Sequence, residues 1–188
     1  MALDLKRRRF TVEEYHRMAA SGILSEDDRV ELIEGEIIEM TPIGRRHASC
    51  VARLTQHFAA LALKGAAVIW VQNPIRLGKQ SEPQPDFVLL RPQPDLYASI
   101  DPTSADVLLL VEVSDTSVDY DRRVKLPLYA RAGIPEVWMV DLGQSTITSH
   151  RDAARGGYRI VQPFRRGEQL TPASFPDLTI AVDDLLPA

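Results

Sequence analysis

Apolar and polar positions alternate along the chain in blocks that divide it into elements. Thr11, followed three residues later by Glu14, makes a capping box, and Phe10 and Tyr15 hold the positions of a hydrophobic staple. The helix opened there is expected to reach about Ala20 and to stop near Gly22. Residues 29–40, RVELIEGEIIEM, alternate on either side of Glu34–Gly35 and predict a β-hairpin. Between His47 and Leu63, the spacing of Val51, Leu54, Phe58 and Leu61 predicts an amphipathic helix. Residues 66–77 read as a strand interrupted at Asn73–Pro74, and 86–90 as a short apolar strand. Residues 107–113 are aliphatic except for Glu112, the pattern of a strand buried on both faces. A helix is expected over 119–132, stopped by Gly133 and Pro135, and a second buried strand over 136–140. Residues 146–150 and 158–163 predict a closing hairpin around Gly156–Gly157, and the proline-bearing tail reads as irregular. The order predicts an α/β fold with a central mixed β-sheet flanked by helices and a parallel crossover between residues 107 and 140.

Composition narrows this picture. A chain of 188 residues, 45% of them hydrophobic, suits one domain, expected over 1–188 with 10–186 as its ordered core. The formal net charge of −4 argues against coating nucleic acid by bulk charge. Arginine clusters at 7–9, 45–46, 122–123 and 165–166 leave room for a local basic groove, or are a solvated surface. The single cysteine, Cys50, rules out an intramolecular disulfide and a cysteine-based zinc site. No apolar run approaches the ~18 residues of a membrane span, and the basic start lacks an apolar signal core. A soluble, cytoplasmic protein with no membrane partner is expected.

Glu112 is the position that calls for chemistry. A carboxylate inside a buried aliphatic strand is costly unless it pairs or binds a metal. Asp86 opens a second strand, where it is either a turn aspartate or the partner of Glu112 in holding a hard divalent cation. The backbone carbonyl of Val113 could add a ligand. Ser114 shares the Glu112 side of its strand by the two-residue period. Asp121, Lys125 and Tyr129 follow at four-residue intervals on the next helix. If that helix packs back over the strand, Lys125 reaches the acids. The other reading of Asp121 and Lys125 is a surface ion pair.

These segments, taken in order, resemble the Uma-two family of restriction-endonuclease-like proteins, a branch of the PD-(D/E)XK superfamily. The resemblance is carried by RVELIEGEIIEM (29–40), the helix opening at His47, VQNPIRL (71–77), QPDFVLL (84–90), LLVEVSDTS (109–117) and DRRVKLPLYARAGIPEVWMVD (121–141). Ser114 stands where the superfamily pattern has its lysine, and Lys125 on the helix replaces it, a departure this chain shares with the family. The resemblance implies a restriction-endonuclease-like core and an Mg²⁺- or Mn²⁺-dependent endonuclease acting on DNA. In that reading Asp86 and Glu112, with Val113, hold the metal. Lys125 orients or deprotonates the attacking water, or stabilises developing charge. Glu31 joins the catalytic set, or is an exposed hairpin glutamate. His47 could position a phosphate, and Tyr129 could pack or bond to a site carboxylate. A homodimer would suit two cuts in a duplex. The alternative is a non-catalytic nucleic-acid-binding or accessory protein of the same fold.

Overall fold

The computed structural model describes residues 7–25, 27–115 and 118–187. Thr116 and Ser117, the end of the 109–117 segment, lie outside the described residues.

Helix α1 (Val12–Ala20) starts at the expected capping box, with Thr11 and Glu14 each satisfying the other's backbone N–H. Strands β1 (Val30–Ile33) and β2 (Glu36–Glu39) form the expected hairpin as a sheet of their own. Its turn places both Glu34 and Gly35 at positive φ, the geometry that closes two-residue hairpins. Gly35 is required twice over, because a Cβ there would meet the Arg9 Cβ at 2.7 Å. The loop before β4 stitches this hairpin down through reciprocal Leu32 and Glu82 backbone bonds.

Helix α2 (Arg45–Leu63) opens two residues earlier than the periodicity predicts, because Gly44 takes the extended N-cap conformation. Strands β3 (Val68–Val71), β4 (Phe87–Leu90), β5 (Val107–Ser114), β6 (Glu136–Asp141), β7 (Thr146–Ala154) and β8 (Gly157–Arg165) then build one sheet in sequential order. Only β5 and β6 pair in parallel, so the sheet is mixed, as expected, with the crossover in the predicted place.

From Leu109 to Ser114, odd-numbered and even-numbered residues of β5 part to opposite faces. Val111 and Val113 join Leu54, Phe58 and Trp138 beneath α2. Leu110 joins Tyr129, Ile134 and Met139 on the other side. Glu112 and Ser114 share that second face, which is covered by the segment following β5.

That segment is α3 (Val118–Tyr120), a π-helical turn (Asp121–Lys125) and α4 (Leu126–Arg131). A single regular helix was the expectation. Pro127 is the reason for the difference: it has no N–H to donate and its ring crowds the preceding turn. The backbone widens instead, and Leu126 N–H reaches Asp121 O, five residues back.

The last strands run longer than predicted, and the tail is more ordered. Beyond β8, β9 (Gln169–Leu170) and β10 (Ile180–Ala181) pair, and α5 (Val182–Leu185) follows. Leu170, Ile180, Val182 and Leu185 are buried in the α2 core. Apolar pairs this short show no period, which is why they read as irregular. No helix among the described residues is long and apolar enough to cross a membrane.

Candidate metal and catalytic site

Asp86 precedes β4 at the edge of the sheet where β5 ends, so two neighbouring antiparallel strands deliver Asp86 and Glu112 to one place. Strand β1 brings Glu31 over them from the separate hairpin. The turn from Asp121 to Lys125 closes the other side. These residues line one cleft of about 100 Å³, together with His47, Gln84, Val113 and Tyr120. All of the residues named in advance from the sequence, Glu31, Asp86, Glu112, Val113 and Lys125, therefore meet here.

Lys125 is 5% exposed, which removes the surface ion-pair reading. Its Nζ stands 3.1 Å from Glu31 Oε2 and 3.2 Å from Glu112 Oε1. It is the only buried lysine or arginine among the described residues. Glu31 is buried too, so the exposed-hairpin reading of it also fails. Its second set of contacts fixes it: Gln84 N–H donates to Oε2 at 3.1 Å, and Tyr120 O–H donates to Oε1 at 3.4 Å. Tyr129 O–H donates to Glu112 Oε1 at 2.5 Å. Ser114 donates its hydroxyl to Asp121 Oδ2 at 2.6 Å.

Asp86 is held by Val113 N–H, which donates to Oδ2 at 2.8 Å, and by Gln72 Nε2, which donates to Oδ1 at 3.4 Å. His47 Nε2 lies 2.9 Å from the same Oδ1. His47 thus faces the acid of the site, not open solvent. Gln72, Gln84 and Tyr120 carried no signal in the sequence, since their roles depend on loops and on the fold bringing hairpin, sheet and helix together.

The charges in the cleft do not balance. Glu31, Asp86, Glu112 and Asp121, with Glu39 and Asp115 further out, line it against Lys125 and Arg29. Burial raises the proton affinity of Glu112 well above the ordinary carboxylate range; Lys125 opposes this, and Asp86 and Asp121 reinforce it. For Lys125, burial alone would lower proton affinity, but Glu112, Glu31 and Asp121 outweigh it and raise it. The two directions pull against each other, since Lys125 is stabilised most by an ionised Glu112. Lys125 stays cationic in either case, because Glu31 flanks it as closely as Glu112 does.

This has a consequence for stability. A carboxyl with a raised folded proton affinity binds a proton in the fold where the unfolded chain does not. Its contribution therefore worsens as pH rises above its ordinary value of 4.5. In metal-free buffer Glu112→Gln should gain melting temperature relative to wild type as pH goes from about 5 to 8. Thermal melts of both proteins across that range read the difference; a constant difference would show that Glu112 is ionised and balanced without help.

The donors are hard oxygens, the type that Mg²⁺ and Mn²⁺ take. Among the described residues no three His, Cys, Asp or Glu side chains gather closely enough to cage an ion. Two carboxylates and a carbonyl suit an ion that keeps waters and takes the rest of its ligands from substrate. The excess of buried negative charge supplies the electrostatic reason for a cation to enter. On these grounds the residues fit a divalent metal.

The Uma2 family model, described as "Putative restriction endonuclease", matches residues 12–183. Among solved structures, a "putative nuclease belonging to DUF820" from Anabaena variabilis superposes with a TM-score of 0.73 and 14% sequence identity. The match covers 94% of this chain and 97% of that one. At that identity the likeness shows a shared fold. No curated protein matches the chain.

Proposed function

Because the chain belongs to the Uma2 family of putative restriction endonucleases, we propose that it is a divalent-metal-dependent endonuclease that hydrolyses phosphodiester bonds in DNA. The observation that carries this reading is three buried carboxylates, Glu31, Glu112 and Asp121, and the half-buried Asp86, gathered with Lys125 in a cleft open to substrate at the sheet edge. Asp86, Glu112 and the Val113 carbonyl would hold Mg²⁺ or Mn²⁺. When bound, the ion supplies Lewis acidity at a phosphoryl oxygen and a water of lowered pKa.

The chain's own groups do the rest. Lys125 keeps its proton, which suits it to stabilising developing negative charge and orienting the attacking water, and not to acting as a base. Glu31 holds Lys125 from the hairpin side at 3.1 Å. Tyr129 fixes one oxygen of Glu112 and so limits the directions in which the carboxylate can turn. Nuclease work on DNA is consistent with a cytoplasmic protein.

The direct test is cleavage of single- and double-stranded DNA with Mg²⁺, Mn²⁺ or a chelator present. Cleavage is expected with either metal and none with chelator. Metal-independent cleavage would overturn the metal dependence, and tight DNA binding with no cleavage in any metal would support a non-catalytic role in its place.

A further inference from the structure

We propose that His47 is a positioning residue that sets the orientation of the Asp86 carboxylate for a bound cation, an inference that rests on reading the cleft as a divalent-metal site. Asp86 is gripped from three elements. Val113 N–H on β5 donates to Oδ2 at 2.8 Å, and Gln72, just past β3, donates to Oδ1 at 3.4 Å. The third is His47 Nε2, 2.9 Å from Oδ1, in the first turn of α2.

The other ring nitrogen of His47 shows why packing is an insufficient account. Nδ1 is buried and has no hydrogen-bonding partner among the described residues. A buried polar atom without a partner costs stability, so an apolar side chain of similar size would serve the fold better. What imidazole offers that such a side chain lacks is Nε2 against Asp86. Neighbours on both carboxylate oxygens fix the plane of the group, while Oδ2, which accepts only from Val113 N–H, keeps a lone pair for the ion. The carboxylate then does not have to be ordered when the cation arrives. His47 also reaches Asp86 from α2, on the far side of the sheet from Lys125, so the two halves of the cleft are set independently.

The chemistry of the side chain decides the variants. In His47→Gln the amide nitrogen can reach the place of Nε2. In His47→Asn it reaches only the place of Nδ1. Both replacements are polar and of modest size. Mn²⁺ alone is titrated into the full chain by calorimetry, and metal-free melting is recorded for each protein. His47→Asn should lower Mn²⁺ affinity by about 10–100-fold, the usual scale for groups that orient a ligand. His47→Gln should stay within a few-fold of wild type, and metal-free melting should change little in either. Wild-type affinity in His47→Asn, or equal loss in both variants, overturns the positioning role while leaving the metal site intact. So does a lowered metal-free melting temperature with unchanged affinity, which marks a packing role. A wild-type protein that takes up no Mn²⁺ overturns the metal site itself, and this inference with it.

Discussion

Lys125→Ala should lower single-turnover DNA cleavage in Mn²⁺ by roughly 10²–10⁴-fold, the scale of a positioned ammonium that stabilises charge. Its Nζ lies within 3.2 Å of both Glu31 and Glu112, deep in the cleft. The same change leaves two buried glutamates without their cation. Breaking a buried pair from one side costs about 3–5 kcal/mol, a large part of a typical domain's stability. The metal-free variant should therefore melt well below wild type, and added Mn²⁺ should return part of the loss. Lys125→Arg separates the two effects, since it keeps the charge with a different shape. Stability should largely recover with Arg, and the rate should not. If Lys125→Ala folds and cleaves at the wild-type rate, the lysine is a strut between the hairpin and the sheet, and the catalytic assignment fails.

Glu112 was readable because it breaks a pattern, whereas Asp86, at the start of a strand, stood out only beside Glu112 and in the family resemblance. Glu112 interrupts an aliphatic strand, and that anomaly survives folding: it remains 2% exposed. Yet Glu136, which opens the next buried strand, is a fully buried acid too, and its partners differ. Its two oxygens accept from Trp138, Ser149, Arg151 and the Ala173 backbone, which ties the tail to the sheet. Periodicity cannot tell a glutamate saturated by donors from one crowded by other acids. The difference lies in which strands and loops arrive at each end of the sheet. Only the resemblance to a family, and then the fold, separated the two.

Lys125 shows a second limit. Its four-residue spacing from Asp121 describes a regular helix, in which the pair lies on the surface as readily as inside. The π-turn before Pro127 changes the geometry of that segment, and both side chains are buried. A proline inside a predicted helix was the available signal. The order of hairpin, helices and strands was legible because each has a strong period or a cap, as at Thr11 and Gly35. The closing tail was not, because its buried residues come in pairs too short to carry a period. Gln72 and Gln84 were beyond reach for another reason, and so was the Asp86 partner of His47: they act through contacts with residues 14 to 53 positions away.

Asp86→Asn keeps an oxygen to accept from Val113 N–H and removes the charge, so the metal-free fold should melt at the same temperature or higher as repulsion with Glu112 is relieved. DNA cleavage should fall by at least about 10³-fold, because charge at the metal is lost with the geometry kept. The decisive measurement is the melting temperature of wild type and Asp86→Asn with and without millimolar Mn²⁺. A ligand at about one hundred times its Kd stabilises a fold by about 2.7 kcal/mol, a shift of several degrees for a domain of this size. Wild type should show that rise and Asp86→Asn should show none. No rise in wild type, or the same rise in both proteins, would contradict a divalent-metal site built on Asp86.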